Sequence, residues 1–208
     1  LLFSKDERLY LLLLTLLTSD EPKTVRQLQS RLSVSRTTVL KDLDTVDEWL
    51  TNFDLILDRR QKVGCIIKGR ESRIRRAIVS LLLECIDEAQ LLDMLDDHYS
   101  PISIPKYKKF GFYNSLLALL EDLDFSYYNQ IVSNLCSKNN IKLLDSSHAA
   151  LVLDIAFQVY RARRGKTLGE QYYSALQKNE TKYFSLAQTI AQKINSYRGF
   201  TLKTAEIN

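Results

Sequence analysis

The sequence predicts a mainly α protein whose strands form one hairpin placed directly after three helices. Three observations carry that reading. Apolar residues recur at helical spacing behind serine or threonine caps in the first fifty residues. The period then changes to short extended runs around a basic connection between Leu57 and Cys65. Everything after Glu71 returns to helical spacing.

The first helix is announced by Ser4 followed by Lys5-Asp6-Glu7, a cap with acids in the first turn, and runs through a leucine-rich stretch toward Ser19-Asp20-Glu21-Pro22. Its apolar core, Leu9 to Leu17, is nine residues long, well short of the roughly 20 needed to cross a bilayer, so it reads as a buried helix. Thr24 caps a second helix with Val25, Leu28 and Leu32 on its inner face. Ser33-Val34-Ser35 breaks the pattern, and Ser35 caps a third helix striped by Val39, Leu43, Val46, Trp49 and Leu50. Leu55-Ile56-Leu57 and Cys65-Ile66-Ile67 are the two strands, joined by Asp58 to Gly64. Helices are expected over 74–86, 88–97, 112–123, 127–139, 146–164, 169–177 and 181–197, with the proline-bearing stretch Ser100 to Pro105 as linker. Three parts follow: residues 1–70, a helical connector over 71–105, and an all-α bundle over 106–208.

Charge sharpens the first part. The net charge of +4 conceals an asymmetry, because Leu1 to Arg76 holds 15 Lys/Arg against 11 Asp/Glu while the remainder is balanced at 14 against 14. A locally basic segment suits a polyanion. Three helices, a tight turn between the second and third, and a basic hairpin make a winged helix-turn-helix, which sets its third helix in the major groove of double-stranded DNA. Ser35, Arg36, Thr37, Thr38 and Lys41 stand at that helix's start, where side chains reach base edges and phosphates and the helix N-terminus favours an anion. Arg59, Arg60 and Lys62 on the hairpin are expected at the flanking backbone. RNA fits less well, because no aromatic residues interleave these cations.

Cys65, Cys85 and Cys136 are odd in number and widely spaced, which supports neither a disulfide framework nor a zinc site and points to a reducing cytoplasm. His98 and His148 lack partners at metal spacing. No phosphate loop, nucleophile elbow or metal cluster is written in the chain, so neither an enzyme nor a cofactor is expected.

The run Thr24 to Leu28, with Leu32-Ser33-Val34-Ser35-Arg36-Thr37-Thr38-Val39-Leu40-Lys41-Asp42-Leu43, resembles the helix-turn-helix of bacterial sugar-operon regulators, and Leu55 to Gly69 looks like their wing. Leu151-Val152-Leu153-Asp154-Ile155-Ala156-Phe157-Gln158-Val159-Tyr160-Arg161, followed by Gly165-Lys166-Thr167-Leu168, is similar to the core motif of the PRD, the phosphotransferase-system regulation domain. Activators of the mannitol and lichenan operon type combine these parts. The resemblance implies a homodimeric, cytoplasmic regulator controlled when phosphotransferase-system proteins phosphorylate PRD histidines. Asp154 stands where the motif usually carries histidine, and His148 lies six residues earlier. Asp154 is read either as a fixed negative charge where phosphorylation would add one, or as a structural partner of Arg161 or Arg163. Two other regulators remain open: a virulence-type global regulator with a degenerate PRD, and an RNA-binding antiterminator, whose head would be sheet-rich. The chain starts without Met and stops at Ile207-Asn208, so a piece of a longer protein is expected, with the approach to a second regulatory histidine at Lys182 to Ile207.

Overall fold

A computed structural model describes residues 3–86, 112–168, 182–198, 201–202 and 206, which fall into two compact units. The helices expected over 88–97 and 169–177, the linker Ser100–Pro105 and His98 lie outside the described residues.

The first unit is built around α1 (Lys5–Leu17), in which Leu11, Leu12, Leu13, Leu14, Leu16 and Leu17 are all buried. A helix apolar on nearly every side must be covered on every side. It is packed by α3 (Arg36–Thr51), by α4 (Glu71–Cys85) and by α5 (Phe112–Glu121). The first half of the expected connector is therefore α4, docked through Ala77, Ile78, Leu81 and Leu82. The helix at 112–121, expected within the regulatory bundle, also packs on α1, with Leu116, Leu119 and Leu120 buried and Arg31 donating to Ser115 Oγ at 2.9 Å.

Three side-chain caps fix the helix starts. Ser4 and Glu7 exchange hydrogen bonds at the head of α1, and Thr24 and Gln27 do the same at the head of α2 (Val25–Leu32). Ser35 Oγ accepts from Thr38 N at the head of α3. Ser33 takes a left-handed conformation, φ 55°, which ends α2 and turns the chain into α3.

The hairpin pairs β1 (Ile56–Arg60) with β2 (Gly64–Lys68) in antiparallel register, Arg59 opposite Cys65 and Arg60 opposite Gly64. The strands extend farther into the basic connection than the apolar runs suggest. Lys23 and Cys65 add a bridge through two backbone hydrogen bonds of 2.9 and 2.8 Å, tying the wing to the segment between α1 and α2. Gly64 makes that closeness possible: its φ is +124° and a Cβ there would lie 2.6 Å from the Lys23 carbonyl oxygen.

The second unit contains α6 (Phe125–Lys138), α7 (Asp145–Arg163) and α8 (Lys182–Arg198). Phe157, Val152 and Leu153 on α7 are fully buried against Tyr128, Ile131, Val132 and Leu135 of α6, with Ala191 and Ile194 of α8 also in the core. Gly165, φ 75°, ends α7: its N–H donates to Ala162 O and that of Lys166 to Arg161 O, both at 3.0 Å.

Among the described residues, no helix is long and apolar enough to cross a membrane.

Candidate nucleic-acid interface and regulatory surface

α3 buries Val39, Leu43, Val46 and Leu50; the pitch of the helix turns Thr37 and Lys41 to the opposite side, and Arg36 is exposed at the first position of the helix. None of these three side chains has an ion-pair or hydrogen-bond partner among the described residues. Their donors are available to a ligand. Ser35 and Thr38 are committed differently, because their hydroxyls lie 2.9 Å apart while Ser35 Oγ also accepts the Thr38 amide. They shape the helix start at which an anion would be held.

Asp42 sits within the buried stripe of α3 at 6% exposure. Such a carboxylate needs a charged partner, and α1 supplies Arg8, whose Nε and Nη2 donate to Asp42 at 2.7 and 3.2 Å. The hydrogen bond to Asp42 raises the Arg8 pKa further, against the smaller opposing effect of burial. This fork fixes α3 to α1. Periodicity gave no sign of it, because the pair lies 34 residues apart in sequence.

The three wing cations do not act alike. Successive strand residues face opposite sides of a sheet, so Arg59 and Arg60 diverge. Arg59 turns inward to α3: Nη1 meets Asp44 Oδ1 at 2.7 Å, Nη2 donates to Leu43 O at 2.8 Å and lies 3.6 Å from Asp47. It clamps the hairpin to α3 and offsets two carboxylates there. Arg60 turns outward, where Asp58 sits between it and Lys68, at 2.9 and 2.5 Å. The Lys68 hydrogen bond, with the nearby Arg60 charge, holds the Asp58 carboxyl below the usual carboxylate range. Lys62 projects from the turn with φ 65°. The outer basic surface is thus Arg60, Lys62 and Lys68, the last of which pattern reading passed over. The alternation of β1 was the signal that could have separated Arg59 from Arg60.

In the second unit Asp154 is half-buried on α7, and its Oδ2 accepts from Gln158 Nε2 at 3.0 Å, one turn on. It lines a cavity of about 260 Å³ with Leu151, Gln158, Ile190, Ile194 and Glu206. Glu206, 4% exposed, accepts the Leu168 amide at 2.6 Å. Arg161 is also 4% exposed. His148 is not brought to this cavity. Six residues at about 100° each set it a third of a turn from Asp154, and its Nε2 meets Asn129 Oδ1 of α6 at 2.7 Å.

Burial pushes the Cys85 thiol up to about 12, with Glu84 adding to the effect, and burial likewise raises Cys65. Both stay protonated at neutral pH, Cys65 as a small core group and Cys85 half-buried on α4.

Comparison with known proteins divides the chain in the same order. Residues 1–82 match the Mga helix-turn-helix domain and residues 129–208 match the PRD domain. A transcriptional regulator named ManR in Bacillus subtilis is 35% identical over 78 residues, 38% of this chain and 12% of that protein. One named MtlR in Streptococcus mutans is 27% identical over 175 residues, 83% of this chain and 26% of that protein. The matched stretches thus span about an eighth and about a quarter of these relatives.

Proposed function

We propose that this chain, which joins a Mga helix-turn-helix domain to a PRD domain as PRD-containing sugar-operon regulators do, binds specific double-stranded DNA to control carbohydrate-utilisation genes. The observation that carries the reading is the unpartnered set Arg36, Thr37 and Lys41 at the capped start of α3, beside a wing whose outer face holds Arg60, Lys62 and Lys68. The donors of Arg36, Thr37 and Lys41 are free for base edges and phosphates, and no catalytic group is needed. The chain acts by binding, as a cytoplasmic homodimer, and phosphotransferase-system proteins act on its PRD. A helix-turn-helix head weighs against an RNA-binding antiterminator.

The test is selection from random duplex DNA, followed by affinity measurement on the selected site. Arg36→Ala should cost about 1–3 kcal/mol of specific binding. Unchanged affinity in the Arg36→Ala/Lys41→Ala double variant would remove this helix from the interface. On the wing, Arg60→Gln and Lys62→Gln should weaken all sequences alike and each lower the salt dependence by about one unit of slope. Arg59→Gln should act mainly through the position of the wing.

Asp154 favours a second reading of the regulatory half, a degenerate PRD of the virulence-regulator type with a fixed charge at the usual histidine position. Its ordered bond to Gln158 beside an apolar cavity supports a permanent role in packing. Incubation with phosphotransferase donors should leave Asp154 unmodified by mass spectrometry. Asp154→Asn with wild-type dimerisation and DNA affinity would leave Asp154 a structural residue only.

A further inference from the structure

Leu40 stands at the flank of α3, about a quarter turn from the buried stripe, and is the one exposed large apolar side chain of that helix. It is 37% exposed, whereas Leu43 and Leu50 on the same helix are 0% exposed. Its helical neighbours outward are Arg36 at i−4 and Thr37 at i−3, with Lys41 following it, and all three are exposed. A protein-docking surface would need a contiguous apolar patch of several hundred Å². Here a single branched apolar side chain is set among hydrogen-bond donors in the first two turns of the helix. That mixture matches a base edge in the major groove, where thymine alone presents a methyl group beside hydrogen-bonding atoms.

We propose that Leu40 reads a thymine C5-methyl group and so sets base preference at one position of the site, while Arg36, Thr37 and Lys41 hold the surrounding polar edges and phosphates. The inference rests on the DNA-binding reading and deepens it. Burial of the methyl against Leu40 removes apolar surface of both from water, and no hydrogen bond on either side is lost. Truncation at this position removes a side chain already 37% exposed at the flank of the helix and leaves the buried stripe of Val39, Leu43, Val46 and Leu50 in place.

The experiment uses the whole chain and a duplex chosen by selection from random DNA. Each thymine of that duplex is replaced in turn by deoxyuridine, which deletes the methyl group and nothing else. Wild-type protein should lose about three- to fivefold in affinity at one thymine per bound protomer, the worth of one buried methyl. Leu40→Ala should bind the thymine and deoxyuridine duplexes equally at that position, keep wild-type sensitivity elsewhere, and show relaxed preference there on renewed selection. Overturning results are equal wild-type affinity for every deoxyuridine duplex, a deoxyuridine penalty that persists in Leu40→Ala, or a Leu40→Ala loss that is uniform across all sequences. Failure of the wild-type chain to select any sequence would overturn the DNA-binding reading as well, whereas the other three leave that reading standing.

Discussion

The two units secure their helices by different means. In the first, α1, α2 and α3, though not α4, each begin on a serine or threonine whose side chain accepts a backbone N–H, and an ion pair between Arg8 and Asp42 fixes α3 on α1. In the second, α6 starts at Asp124 and α7 at Leu144 without a side-chain cap, and Leu144 is 76% exposed. α6 and α7 are held by apolar packing around Phe157, and polar contacts between helices such as His148 to Asn129 are set at their edges. The difference suits the two tasks proposed for these units. Reading base edges requires donors fixed to within a fraction of an ångström, and caps and forked ion pairs are directional. Apolar packing is non-directional, so helices held by it shift against one another at lower cost when a charge is added nearby.

The largest expected effect breaks the directional lock in the first unit. Asp42→Ala leaves the Arg8 guanidinium, 16% exposed, without its carboxylate and should destabilise that unit by about 3 kcal/mol. Urea unfolding followed at Trp49, which stacks on Phe53 with ring centres 4.6 Å apart, measures it directly. A loss below about 1 kcal/mol would show that packing alone holds α3, and the contrast between the units would collapse.

Next come the caps. Ser35→Ala should cost about 1 kcal/mol and reduce DNA affinity, because it loosens the turn that presents Arg36 and Thr37. Conversely, Leu144→Ser installs a cap where α7 has none and should stabilise the second unit by about 0.5–1 kcal/mol. Thermal unfolding of both variants distinguishes the cases, and equal losses from the two substitutions would mean that cap chemistry is not what separates the units.

The smallest effect is in acid. Asp58 has its folded pKa depressed, first by the Lys68 hydrogen bond and then by Arg60. Its contribution is therefore present above the ordinary carboxylate value of about 4 and fades as pH falls through that value toward the lower folded one. Amide exchange in β1 and β2 should be flat from pH 7 to about pH 5 once intrinsic rates are removed, then rise on further acidification. Asp58→Asn should abolish the acid-dependent part.

What could be read along the chain was whatever depends on near neighbours. The Ser4, Thr24 and Ser35 caps act within three residues, the α3 stripe repeats within one turn, and the hairpin closes over three residues. Such contacts close short loops, so local residue order specifies them almost completely. The extent of the strands was missed because Asp58, Arg59 and Arg60 are polar and look like a turn, although pairing with Gly64, Cys65 and Ile66 keeps them extended. The burial of Asp42 against Arg8, the bonds of Arg59 to α3, the Lys23–Cys65 bridge and the contact of His148 with Asn129 needed the assembled chain. Each depends on a partner brought close by packing rather than by sequence position. A charged residue's pattern on its own helix or strand tells which way it points, whereas only the fold determines whether an opposite charge or open solvent is waiting there.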